Sequence, residues 1–233
     1  MSNLQERFEA FIAKSRGFEN IDELFRGKHL AGKKRADYLV WERTVILEQK
    51  VLVHDPFAKA QRFVTQLITE RGIVAYGTFS TDRMFSKMPD GQEQKRRMIP
   101  HVTKGLEASF ATADKQTRDT RDILSIPNAV GIVILLNLSA PTLRPDLIQY
   151  GLSQSLQKRT SDGSLRYPHN DGVVMISEAH VDKTEGLRGA PCYSSPTPQA
   201  RDENLVREFS EALIHGWAAF NGLPVKRQDA FRV

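Results

Sequence analysis

The chain has 233 residues and a net charge of +5, with 40% of its positions apolar and 26% charged. That is long enough for one large domain or two small ones, and the mixture is globular rather than disordered or collagen-like. No apolar run reaches membrane-spanning length, the opening residues lack the basic-then-apolar pattern of a signal peptide, and the single cysteine, Cys192, leaves no internal disulfide. A cytoplasmic protein with no membrane partner is expected.

Leu4, Phe8, Phe11 and Ile12 recur at helical spacing and predict a helix over 4–14, with Ser2 or Asn3 as its cap. Gly17 breaks the pattern, and residues 21–25 suit a short further turn. Residues 28–35 are basic and include Gly32, which predicts irregular chain or a short edge strand. Residues 37–41 and 44–53 are rich in β-branched and aromatic types and read as a hairpin. Pro56 opens a helix to about Arg71, with Phe57, Ala60, Val64, Leu67 and Ile68 turned inward. After Gly72, residues 73–79 read as a strand.

Residues 81–100 are polar, with a turn at Pro89-Asp90-Gly91. A helix is expected over 104–124, with Leu106, Phe110, Ala113, Ile123 and Leu124 as an incomplete stripe. Residues 131–138 are almost continuously apolar, as in a strand buried on both faces. Then follow a helix over 145–157 led by proline, a strand over 172–177, a Gly-, Pro- and Ser-rich loop over 184–201 and a last helix over 203–220. Strands alternating with helices after an opening hairpin imply an α/β protein, a three-layer sandwich around a central mixed β-sheet. No linker is evident, so a single domain over 1–233 is expected, with a core at about 4–79 and a sheet extension and C-terminal helix at about 80–233.

The hairpin can be registered by arithmetic. If Glu42 and Arg43 make the turn, Trp41 faces Thr44, Leu39 faces Ile46 and Asp37 faces Glu48. Opposed residues share a sheet face, as do residues two apart, so Asp37, Glu48 and Lys50 project together. Opposed carboxylates repel, and Leu39, Trp41, Ile46, Leu47, Val51 and Leu52 around them imply a largely buried sheet. Lys50 offsets one of the two charges. A hard divalent cation held by the carboxylates would balance the rest, and magnesium is commonly bound by one or two carboxylates plus waters and phosphate oxygens. The competing interpretation is an ordinary salt-bridge cluster on a sheet face.

Ala36-Asp37, ten residues, then Glu48-Gln49-Lys50, in a hairpin between two helices, resembles the PD-(D/E)xK nuclease superfamily, the restriction endonuclease-like proteins. Ala36 stands where the motif has proline. The resemblance covers about the first third of the chain, where the elements follow the order α-β-β-β-α-β, the first strand falling in 27–35. It implies Mg²⁺, with Mn²⁺ as a substitute, bound by Asp37 and Glu48, and Lys50 as a catalytic residue. A further acid from the first helix is implied, with Glu9 the choice and Glu6 or Glu23 as alternatives. The implied activity is hydrolysis of DNA phosphodiester bonds by an endonuclease of restriction, defence or repair. A non-cleaving nucleic-acid-binding protein on the same fold and an RNA-directed nuclease are the alternatives, and a homodimer is the candidate assembly.

Lys95, Arg96, Arg97, Lys104, Lys115, Arg118 and Arg121 are candidate phosphate contacts, the bland alternative being a solvated helix face. Gln61 and Gln66 follow the motif on the next helix and are candidate DNA-positioning groups or plain surface residues. His54 and Asp55 end the motif strand and could support the site. His169, His180 and Asp182 lack a recognisable metal-ligand spacing, and Cys192 has no nearby histidine in sequence to make it a nucleophile. No phosphate-binding glycine loop is present.

Overall fold

A computed structural model describes residues 3–27, 33–73, 81–180 and 190–225. Its elements run α1 (Leu4–Lys14), β1 (Phe18–Asn20), α2 (Ile21–Leu24), β2 (Tyr38–Val40), β3 (Val45–Leu52), α3 (Phe57–Glu70), α4 (Thr81–Ser86), α5 (Gly91–Leu124), β4 (Val130–Asn137), α6 (Pro145–Leu156), β5 (Gly172–Ser177), β6 (Cys192–Pro196) and α7 (Glu203–Phe220). No helix among the described residues is long and apolar enough to cross a membrane.

The six strands form one mixed sheet in sequence order. β1, β2 and β3 are an antiparallel meander, β3, β4 and β5 run parallel, and β6 is antiparallel to β5. Every residue of β4 is buried, which its continuous apolar sequence anticipates for a strand covered on both faces. On one face Val45, Leu47, Val130, Ile132, Ile134 and Leu136 pack with Phe8 and Phe11 of α1 and Phe209, Leu213 and Trp217 of α7. On the other, Leu52, Val133, Leu135, Val173 and Met175 meet Leu106 and Phe110 of α5 and Ile148 and Leu152 of α6. Ile21 of α2 closes this second face at its β2–β3 end, with Leu39 and Ile46. Helices thus cover both faces of the sheet, as in a three-layer sandwich.

Local chemistry fixes the element ends. Asn3 and Glu6 form a reciprocal capping box on α1, Asn20 caps α2 and Asp202 caps α7. The hairpin register is as the spacing predicts, with Leu39 opposite Ile46 and Tyr38 opposite Leu47. Glu42 and Arg43 both have positive φ, as a tight turn with the twist of a hairpin requires, although neither is Gly or Asn. Arg43 pairs with Glu19 of β1, which ties the turn to the edge strand.

Several expectations need correction. The first strand is Phe18–Asn20, and residues 33–36 are not strand. α5 begins at Gly91 rather than 104 and carries Pro100 within it. The expected loop over 184–201 contains β6, and residues 184–189 lie outside the described residues, as does nearly all of the strand expected over 73–79. Phe57 is exposed rather than turned inward, while Ala60, Val64 and Leu67 join α4 and α5 in a separate small core.

Arg121 is also not where the sequence suggested. It is buried, and its guanidinium donates to the Asp171 carboxylate at 2.5 Å and to the Ala129 carbonyl at 2.8 Å. Asp171 further accepts from the Gly131 N–H at 2.7 Å and from the Arg201 main chain and guanidinium at 2.9 and 3.0 Å. A side chain at Gly131 would collide with the His169 carbonyl oxygen, so glycine admits the close approach of the chain that carries Asp171. Arg121 is therefore committed to the interior and is not a surface phosphate contact. Asp171→Ala should cost about 3–5 kcal/mol of stability, because it strands a buried guanidinium. Urea unfolding measures this, and a loss below about 1 kcal/mol would show that the cluster is dispensable.

Candidate functional site

The alternation of β3 decides which side chains meet. Val45 and Leu47 face α1 and α7, so Ile46, Glu48, Lys50 and Leu52 face the α5 side. Tyr38 pairs with Leu47, so Asp37, one residue earlier, stands beside Glu48 on that same side. Asp37 Oδ2 accepts the Gln49 N–H at 2.6 Å, extending the β2–β3 contact past the last paired residue. The expected trio of Asp37, Glu48 and Lys50 is therefore brought together.

Glu48 is only 1% exposed. Lys50 Nζ donates to Glu48 Oε1 at 2.5 Å and to Gln116 Oε1 at 2.8 Å. Glu48 Oε2 is buried without a hydrogen-bond partner. Burial pushes the Glu48 carboxyl up to about 8, the neighbouring Asp37 charge adds to the rise, and the Lys50 ammonium opposes it. Burial also raises Asp37, against the Gln49 N–H and Lys50, which lower it.

The wall opposite the strands comes from α5. Gln116 Nε2 donates to the Arg35 carbonyl at 2.6 Å, Asp119 accepts from the Lys34 N–H at 3.3 Å and Thr120 from the Ala36 N–H at 2.9 Å. These bonds dock residues 34–36 on α5 and so deliver Asp37 to Glu48. Gln116 was missed in the sequence, where it is one polar residue among many on a long helix. Asp22 of α2 was missed too: its charge bears on Asp37, and it pairs with Arg35 at 2.9 Å.

Other candidates fall elsewhere. Glu9 is exposed on α1, accepts from Gln5, and belongs to a helix packed on the opposite face of the sheet. Its place does not complete the Asp37–Glu48 pair. Glu6 serves the α1 cap, and Glu23 pairs with Arg26 at 3.5 Å. Gln61 and Gln66 are exposed, Gln66 donating to Glu70. Asp55 accepts the Thr142 N–H and braces the loop after β4, while His54 is exposed. His169 contacts Arg121, and His180 bonds Ser177 and the Pro141 carbonyl. Asp182 lies outside the described residues. Cys192 is exposed on β6.

Lys95, Arg96 and Arg97 are successive residues of α5 and point in different directions. At about 3.6 residues per turn, Arg97, Lys104, Lys115 and Arg118 instead share one flank. All four are exposed, Arg118 also pairing with Asp119 at 3.0 Å.

Two carboxylates, one with a buried unpartnered oxygen, are a hard-oxygen donor set that fits magnesium completed by waters and phosphate. No group of three or more His, Cys, Asp or Glu suited to a metal ion occurs among the described residues. Compared with protein families, curated proteins and solved structures, the chain matches none.

The raised Glu48 carboxyl fixes the sign of a pH effect. Between the ordinary glutamate range and about 8, the unfolded chain has released this proton and the folded chain retains it. The folded state binds more protons there, so stability falls as pH rises through that window. Chemical unfolding in EDTA from pH 5 to 9 should show this decline, and Glu48→Gln should flatten it. An identical slope in the variant would show that Glu48 ionises normally.

Proposed function

We propose that this chain is a Mg²⁺-dependent endonuclease of the PD-(D/E)xK, restriction endonuclease-like kind, acting on DNA. The observation that carries the reading is the placing of Asp37, one residue before β2, beside Glu48 of β3, with Lys50 two residues on and Glu48 Oε2 buried and unpartnered. Element order lends support: a helix, three antiparallel strands with the short α2 between the first two, then helices leading to a strand beside the third.

In this reading Asp37 and Glu48 would hold the ion, beside which the scissile phosphate would lie. When bound, the ion would supply Lewis acidity and lower the pKa of a water. Glu48 must give up its proton when the cation binds, which makes affinity rise with pH. The Lys50 ammonium lies beside Glu48, where it can orient an attacking water and offset charge developing on the phosphate oxygens. The exposed flank of α5 supplies Arg97, Lys104, Lys115 and Arg118 as phosphate contacts.

The Lys50–Glu48 contact also favours a second reading, in which the pair is a structural salt bridge and the protein binds nucleic acid without cutting it. Incubation with DNA and RNA in Mg²⁺, Mn²⁺ and EDTA separates the readings. DNA should be cut with either ion and spared in EDTA, and Asp37→Ala, Glu48→Ala and Lys50→Ala should each abolish cutting while the chain stays folded. Equal cutting by Glu48→Ala would move the site elsewhere; cutting of RNA alone would replace the substrate.

Binding has its own signature. Each phosphate contact contributes about 0.9 to the slope of log affinity against log salt. Neutralising Arg97, Lys104 and Lys115 together should flatten that slope, and an unchanged slope would remove this flank from the interface.

A further inference from the structure

We propose that Gln116 is a positioning residue of this centre: its amide, anchored on the Arg35 carbonyl, holds the Lys50 ammonium on Glu48 Oε1 and thereby keeps it off Glu48 Oε2, which has no hydrogen-bond partner. The inference rests on the nuclease reading for its catalytic consequence, and on geometry alone for the placement of Lys50.

The hydrogen-bond inventory fixes the amide's orientation. A carbonyl can only accept, so the group 2.6 Å from Arg35 O is the Gln116 NH₂. An ammonium can only donate, so the group 2.8 Å from Lys50 Nζ is the Gln116 oxygen. The flipped amide would satisfy neither contact. The carbonyl that anchors it is itself held, because the N–H groups of Lys34 and Ala36 on either side bond Asp119 and Thr120 of the same helix. Gln116 thus transmits the position of α5 to a lysine on β3.

The consequence follows from what Lys50 would do otherwise. A flexible ammonium with three protons, beside the Asp37 carboxylate and the Glu48 carboxyl, can donate to either and competes with a cation for the same oxygens. With one proton engaged by Gln116 and one by Glu48 Oε1, it is drawn to the α5 side. Glu48 Oε2 keeps no partner, although it is buried. Lys50 is left partly exposed, its side chain at 19%, so the held ammonium still reaches substrate.

The test uses the full chain with Gln116→Met, which keeps length but loses both polar contacts, and Gln116→Asn, which is one methylene too short to span them. In EDTA, ¹⁵N NMR of lysine ammonium groups should show a slowly exchanging Lys50 Nζ signal in the wild type. That signal should be lost in both variants while the other lysines are unchanged. In Mg²⁺, kcat for DNA cleavage should fall by about 10–100-fold, as for other groups that orient a metal centre from behind it, with little change in KM. A Lys50 signal of wild-type exchange rate in whichever variant folds overturns the proposal. So does a rise in KM at unchanged kcat, which would place Gln116 on the DNA. Loss of the Lys50 signal in a protein whose wild type cuts nothing would support the positioning and refute the nuclease reading separately.

Discussion

The parallel ladder between β3 and β4 is the constraint from which the rest of the molecule follows. Eight residues of each strand pair in register, from Val45 with Val130 to Leu52 with Asn137. Parallel neighbours cannot be joined by a turn, so the chain must leave the sheet after Leu52 and return to the same end at Val130. The return leg is α5, whose 34 residues are longer than the strands it crosses. Its second half packs Leu106, Phe110 and Ala113 on the sheet, while its first half packs on α3 and α4. The helix that satisfies the crossover is also the one that presents Gln116, Asp119 and Thr120 to residues 34–36. A topological requirement of the sheet therefore builds one wall of the candidate site.

Two buried acidic residues on that framework show opposite electrostatic solutions. Asp171 is enclosed by two guanidinium groups and two main-chain N–H groups, and both of its oxygens are engaged. It is fully compensated within the protein, and its role is to join α5, β4, β5 and the approach to α7. Glu48 is equally buried, but only the Lys50 ammonium and the Gln116 amide offset it, Oε2 has no hydrogen-bond partner, and its neighbour is another carboxyl group. A fold able to satisfy Asp171 so thoroughly leaves Glu48 Oε2 without a partner where two acids stand side by side. Incomplete compensation at a fixed position is the arrangement a cation-binding centre needs, because a site already satisfied has nothing to offer an ion.

Much of this was legible in the sequence, for identifiable reasons. The strand period of two and the spacing of Leu39, Trp41, Thr44 and Ile46 fix the hairpin register, and with it the meeting of Asp37, Glu48 and Lys50. β4 and α7 are strongly patterned and fall within a residue of expectation. β1 is three residues of mixed polarity, and β6 is an edge strand of Ser, Tyr and Pro, so neither carries a periodic signal. Pro100 and a polar run masked the first three turns of α5. Arg121 looked like surface charge because its partner, Asp171, lies 50 residues away. Gln116 was hidden for the same reason: its meaning comes from Lys50 and Arg35, both of them far away in the chain.

The state of Glu48 links burial to chemistry. With both acids ionised, Asp37, Glu48 and Lys50 together would carry one net negative charge in a largely desolvated site. With Glu48 protonated, as its carboxyl raised to about 8 implies at neutral pH, Asp37 and Lys50 cancel and the metal-free site is neutral. A divalent cation that displaces this proton turns a neutral centre into one with a net positive charge, facing the exposed end of Lys50. Under the proposed function that charge would suit a phosphodiester, whose own negative charge can supply the balance. Cation and phosphate should therefore bind cooperatively, each lowering the cost of burying the other, and the cation alone should bind weakly. On the proposed reading, a lysine two residues beyond Glu48 suits this arithmetic better than a third acid, because another carboxylate would make the site prefer the ion without the substrate.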